Sequence, residues 1–250
     1  MGLCVIITKY PEKYKEYRAA GGEVYDDKVY NSHPDYLVKK FGYGRDYKEL
    51  YGKYSGSCAI VGMGPSRGCL NGRKLAIPSF SINKAAVEYL DSTYWVAHDP
   101  TSLLHLGSTV PARTPLITYG YNVYREHWDK RGEREVFFYD ILDDPRRSIY
   151  RPLYWNESGF GLALNLVHRI GFTTIYVIGI DMTTGGYTSY AFHEDEMLRQ
   201  HEAVAKRIRR MFTDEEKPKW NEGKSLDIID LGAGNLPVKH EKPENAPIWL

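Results

Sequence analysis

Gly62-Met63-Gly64-Pro65-Ser66 is a turn that could hold a phosphate. It follows a short apolar run that begins at Cys58. Glycines let the backbone approach a ligand closely, and N–H groups at such a turn can point at an anion. Ser66 adds a hydroxyl. A second reading has equal support locally: two glycines and a proline simply turn the chain. Other polar residues fall where predicted strands end. Asn83 closes "SFSIN", His98 and Asp99 close "YWVAHD", and Asp181 closes "IYVIGID". Glu157 and Ser158 open the helical stretch "GFGLALNLVHRI". Singly, each reads as a cap or turn residue. Together they make a polar rim around one cleft, which core packing does not require.

The elements that would carry this rim alternate from Ser57 onward. Strands are predicted at Cys58–Gly62, Ser79–Asn83, Tyr94–His98, Leu116–Thr118, Glu135–Tyr139, Thr174–Gly179 and Leu226–Leu231. Helices are predicted at Lys84–Asp91, Gly159–Ile170 and Glu194–Phe212. Ser158 is a good N-cap and Gly171 a good stop for the second helix. "TTIYVIGID" then reads as a buried parallel strand. Such alternation predicts an α/β fold: a Rossmann-like, mostly parallel sheet with helices on both faces. In such sheets ligands sit beyond the carboxyl ends of the strands, where the rim lies.

Residues 1–56 differ, holding ten of the 21 tyrosines and few aliphatics after Ile7. One strand is predicted at Leu3–Thr8, and the rest reads as a cover segment packed on the core. Residues 57–240 are expected to form a nucleotide-binding catalytic domain, and 241–250, with two prolines, reads as a loose tail.

Hydrophobic residues make up 42% of the 250, enough for a real core. The net charge of +1 predicts no polyanionic partner for the chain as a whole, and leaves a local basic face at Lys206–Met211. Cys4, Cys58 and Cys69 fit no zinc spacing, so a reduced, cytoplasmic protein is the simplest expectation. The start reads as no signal peptide, and no stretch approaches a membrane span.

"VGMGPS", "SINKA", "WVAHDP", "SGFGLALNLVHRIGFTTIYVIGID", "YTSYAF" and "LDIIDLGAGNLPV" occur in an order seen in two related families. Over about Ser57 to Val238 the chain resembles the bacterial lipooligosaccharide sialyltransferases, which use a CMP-activated sugar. It equally resembles the 6-hydroxymethylpterin pyrophosphokinase-like family, which includes the motility accessory factors. The resemblance implies a nucleotide site at Gly62, Gly64, Pro65, Ser66, Asn83, Ser158, Gly159, Asp181 and Tyr190. Met63 replaces an asparagine that touches the phosphate in the sialyltransferases. Thr183 stands where they have the first of two phosphate-binding tyrosines, and Tyr190 matches the second. Asp99-Pro100 matches the pterin-kinase-like group instead. The resemblance also implies a histidine base after the tyrosines: His193, which is nearer the cleft, or His201.

These residues predict a glycosyltransferase moving a sugar from a nucleotide-activated donor to an acceptor hydroxyl, with inversion. His193 would be the base, and Tyr190 and Asp99 further catalytic groups. No Asp-x-Asp motif occurs, so no cofactor is expected to be required. The alternative is a pyrophosphokinase acting on a pterin-like heterocycle, with Mg²⁺ held by Asp99 and Asp181. A third reading is a nucleotide-binding protein without catalysis. The acceptor is open among a saccharide, a protein side chain and a modified base, and so is a homo-oligomer.

Overall fold

A computed structural model describes residues 44–98, 100–119, 128–139, 158–182, 194–215, 217, 221, 225–232 and 235–250. Nine strands form one sheet: β1 Arg45–Asp46, β2 Ser57–Val61, β3 Ser79–Ile82, β4 Tyr94–Ala97, β5 Leu116–Tyr119, β6 Val136–Tyr139, β7 Thr174–Ile178, β8 Asp227–Asp230 and β9 Lys239–His240. The helices are α1 Ala85–Glu88, α2 Pro100–Leu106, α3 Gly159–Ile170 and α4 Glu194–Met211, with a 3-10 helix at Pro65–Leu70.

The strand order is β1-β6-β5-β4-β3-β2-β7-β8-β9, and every pair is parallel. From β2 the chain steps outward through β3, β4, β5 and β6. It then returns through α3 and lays β7 on the other side of β2, in register Val61↔Ile178. The order therefore reverses between β2 and β7. A crevice at the carboxyl ends of such a pair is where doubly wound sheets bind ligands. The predicted α/β class is what the molecule has.

Burial explains why the strands read as continuous apolar runs. Side chains alternate across the sheet, and both faces are covered. On β4, Tyr94 and Val96 face the core under α3, while Trp95 and Ala97 face α1 and α2. The first face is completed by Tyr47, Leu50 and the Ile208 and Met211 side of α4. The second is completed by Leu103 and Leu106 of α2 and by Ala246 and Ile248.

α3 starts and stops where its sequence predicts. Ser158 Oγ accepts the Gly161 N–H at 3.0 Å, and Gly171, at φ 124°, ends the helix. A Cβ on Gly159 would stand 2.9 Å from Ile82 Cγ2. The helix N-terminus is thereby seated at the carboxyl end of β3, on the rim.

Several expectations change. The first described residues of the tyrosine-rich segment do more than cover the core. Arg45–Asp46 adds a strand to the sheet edge beside β6, and Tyr47 and Leu50 are buried. The tail is not loose. Ala76 N–H donates to Ile248 O at 2.7 Å, Leu250 N–H to Lys74 O at 2.9 Å, and Ile248 is buried. Pro243 opens a short 3-10 turn that ends at Asn245, and Ala246 and Ile248 beyond it fill the second core. The helix expected at Lys84–Asp91 is only Ala85–Glu88. The strand expected at Leu3–Thr8 lies outside the described residues. Among the described residues no helix is long and apolar enough to cross a membrane.

Candidate functional site

The Gly62–Ser66 turn does sit at the switch between β2 and β7, and it is bonded to the other side. Gly62 N–H donates to Ile178 O at 2.8 Å and Gly64 N–H to Gly179 O at 2.7 Å. Ser66 Oγ accepts the Gly179 N–H at 2.9 Å, and the Ser66 N–H donates to Asp181 Oδ2 at 2.7 Å. Three of the N–H groups read as phosphate donors thus have protein acceptors. The anion at this turn is the chain's own carboxylate, at the start of the Pro65–Leu70 helix. Here glycine lets two loops approach. A Cβ on Gly62 would lie 2.5 Å from Gly179 O, and one on Gly64 would overlap the Asp181 carboxylate. A valine at Gly64 would therefore disturb the turn itself.

The loop after β8 closes the same cluster from a third side. Asp181 and Asp230 are both fully buried. Gly232 N–H donates to Asp230 Oδ1 at 2.7 Å, and Asn235 Nδ2 donates to Asp181 O at 2.7 Å. His240 Nδ1 lies 3.4 Å from Asp230 Oδ2. A Cβ on Gly232 would stand 2.6 Å from Asp181 Oδ1, 2.8 Å from Asp230 Oδ1 and 2.9 Å from Ser66 Oγ. Three oxygens from three separate segments, after β2, after β7 and at the end of β8, thus converge on one glycine.

Strain gathers at this edge. The only non-glycine residues with positive φ among those described are Asn83, at 49°, and Met182, at 52°. Such backbone is uncommon outside glycine and costs of order 1–2 kcal/mol. Asn83 directly follows β3, and its carbonyl accepts the Trp95 indole N–H at 3.0 Å. Its Oδ1 is buried and has no hydrogen-bond partner among the described residues.

Three aromatic rings line the far part of the rim. His98, Tyr119 and Tyr139 follow or end β4, β5 and β6. Their ring centroids are 5.5–6.2 Å apart and their planes within 25°. Tyr139 is fully buried, and burial, then Tyr119, push its phenol well above its ordinary pKa. The phenol keeps its proton, and a buried O–H needs an acceptor. His98 Nδ1, at 3.0 Å, supplies it. A neutral His98 then carries its own proton on Nε2.

Beside the bonded crevice lies an open groove of about 340 Å³ between the Pro65–Leu70 helix and α1. Arg67 and Glu88 meet across it at 2.5 Å. Sequence reasoning did not single out either residue, nor Tyr119, Tyr139, Asp230, Gly232 or Asn235. One signal was available for the tyrosines: "PLITY" and "VFFY" end on an aromatic ring at the strand terminus, as "YWVAH" does. Gly62, Gly64, Pro65, Ser66, Asn83, Ser158, Gly159 and Asp181 share the rim. Asp99, Glu157, Thr183, Tyr190 and His193 lie outside the described residues, as does the side chain of His201 on α4.

Compared with family models, curated proteins and solved structures, the chain gives no match.

Proposed function

We propose that the chain is a glycosyltransferase that takes a sugar from a nucleotide-activated donor. The observation that carries the nucleotide part is Asn83. It has left-handed backbone and a buried Oδ1 without a hydrogen-bond partner among the described residues, at the sheet edge where the order reverses nearby. A buried acceptor left unmade costs about 1–3 kcal/mol. A ligand hydroxyl or amino group that reaches it recovers that energy. Strain held at a ligand-binding edge fits a site shaped for a partner.

The sugar-transfer part is supported by the ordered motifs shared with the sialyltransferases. In that chemistry His193 takes the acceptor hydroxyl proton, and the acceptor oxygen attacks the anomeric carbon. The bond from that carbon to the nucleotide oxygen breaks, and its electron pair leaves on the phosphate. Base assistance of this kind contributes about 10²–10⁴-fold. Tyr190, with Thr183 nearby in sequence, would meet the leaving phosphate.

The pyrophosphokinase reading keeps one specific support, Asp99-Pro100. Its second metal ligand is disfavoured, because Asp181 Oδ2 already accepts the Ser66 N–H. The test is a thermal-shift screen with CMP, CDP, UDP, GDP, ADP and ATP, each with and without Mg²⁺. A nucleotide at a hundred times its Kd should stabilise the fold by about 2.7 kcal/mol. Donor hydrolysis that survives EDTA supports sugar transfer. Activity lost in EDTA and restored by Mg²⁺ supports diphosphate transfer. No shift with any nucleotide refutes both.

A further inference from the structure

The crevice between β2 and β7 is crossed by the hydrogen bonds of Gly62, Gly64, Ser66 and Gly179. The neighbouring gap, between the segments that follow β2 and β3, is crossed by the Arg67–Glu88 side-chain pair and still leaves an open groove. Its volume of about 340 Å³ falls within the range of small-ligand pockets, roughly 300–1,000 Å³. Val61, Leu70, Ala85 and Tyr89, all largely buried, form its floor, and its exposed walls are mostly polar. Arg67 and Glu88 supply its charges.

Arg67 is placed for an anion. Its Nη1 donates to Met63 O at 2.7 Å and to Gly64 O at 3.2 Å, which ties the guanidinium to the turn. Its Nε donates to Glu88 at 2.5 Å. These bonds use Nε and Nη1 and leave Nη2 for a ligand. Glu88 is an exposed carboxylate on α1, and an ionised carboxylate only accepts hydrogen bonds. The groove thus asks for a ligand with an anionic end and hydroxyl donors. A ribonucleoside monophosphate has both.

We propose that this groove holds the nucleoside monophosphate portion of the bound nucleotide, with ribose hydroxyls donating to Glu88 and the phosphate accepting from Arg67. The proposal rests on the nucleotide-binding reading. It places the nucleoside on the α1 face of the sheet, whereas the resemblance puts it near Ser158 on the α3 face. In dinucleotide-binding sheets an acidic side chain also takes the ribose hydroxyl, so the chemistry asked of Glu88 is ordinary.

Gly68 supplies the test. It lines the groove, its φ is not in the left-handed region, and a Cβ there would meet nothing within 4 Å. Gly68→Trp should fill the groove and leave the fold intact. The full chain would be titrated by calorimetry with CMP, UMP, GMP and AMP. Binding of at least one is expected, weakened tenfold or more in Gly68→Trp, a loss of about 1.4 kcal/mol. Glu88→Gln, which alters no backbone contact, should weaken the same ribonucleotide while sparing its 2′,3′-dideoxy form.

If Gly68→Trp and Glu88→Gln bind as the parent does, while Asn83→Ala does not, the groove is overturned and the nucleotide reading stands. If the parent binds none of the four, both fail. If Gly68→Trp does not fold, Glu88→Gln decides: unchanged ribonucleotide affinity overturns the proposal.

Discussion

Gly232→Ala should be among the most damaging one-carbon changes in this chain. The added Cβ would stand 2.6, 2.8 and 2.9 Å from Asp181 Oδ1, Asp230 Oδ1 and Ser66 Oγ. None of these is the free end of a long side chain. Asp181 also accepts the Ser66 N–H, Asp230 accepts the Gly232 N–H, and Ser66 Oγ accepts the Gly179 N–H. Relieving the overlap must stretch at least one of these bonds. Overpacking of this sort costs typically 1–3 kcal/mol. A lost hydrogen bond to a carboxylate adds about 1.5–3 kcal/mol. The sum is about 2.5–6 kcal/mol, and for a chain of this size each kcal/mol lowers Tm by about 2–4 °C. A fall of roughly 5–24 °C is therefore expected by calorimetry. Gly68→Ala is the control, since its Cβ meets open space, and it should be neutral or slightly stabilising. A Gly232→Ala melting within a degree or so of the parent would show that the three loops are not clasped as described.

Ser158→Ala removes the oxygen that accepts the Gly161 N–H and should cost about 1 kcal/mol in urea denaturation. Arg134 is buried, its pKa lowered to about 10 by burial, and it lies over the Trp95 ring at 4.9 Å. Its guanidinium donates to the carbonyls of Arg131, Gly107 and Val110, so Arg134→Ala should destabilise by about 2–4 kcal/mol in the same assay. Deleting residues 246–250 removes buried Ala246 and Ile248 and should give an unstable or aggregating protein, seen by light scattering. In Tyr139→Phe the phenol no longer holds His98 Nδ1 as an acceptor, and nitrogen NMR of the His98 ring should show mixed tautomers. His193→Ala should lower turnover by about 10²-fold or more with nucleotide affinity unchanged.

The central sheet was legible because its signals are local. "TTIYVIGID" is a β-branched run after a glycine-stopped helix, and β7 follows from it with one residue trimmed. α3 matched at both ends because its cap and stop are single residues with known geometry. The edges were not legible. β1 and β9 are two residues each, too short to show a period, and form because neighbouring strands offer unpaired backbone groups. The tail was misread for a similar reason. Prolines usually mark a loose end, but Ala246 and Ile248 are held by a second core whose other walls come from β2, β7 and β8. Nothing near residue 246 announces those walls.

For the site, position was legible and role was not. Gly62, Gly64, Ser66, Asn83, Ser158 and Asp181 reach one edge because each ends a strand or opens a helix, which the strand pattern shows. What each N–H or carboxylate faces depends on the loop opposite. A glycine that admits a phosphate and one that admits a neighbouring loop need the same thing, the absence of a Cβ. At Gly64 the neighbour is Gly179 O and the Asp181 carboxylate. The same argument separates Asp181 from Asn83. Both follow strands at the rim, but the Asp181 carboxylate has a backbone N–H to accept, and Asn83 Oδ1 has none among the described residues. A ligand gains little from displacing the first and recovers a real cost at the second. Asp181→Asn should therefore act mainly on stability, while Asn83→Ala should act mainly on nucleotide affinity. Equal losses of affinity from both, at unchanged Tm, would mean that the carboxylate leaves the turn when ligand binds.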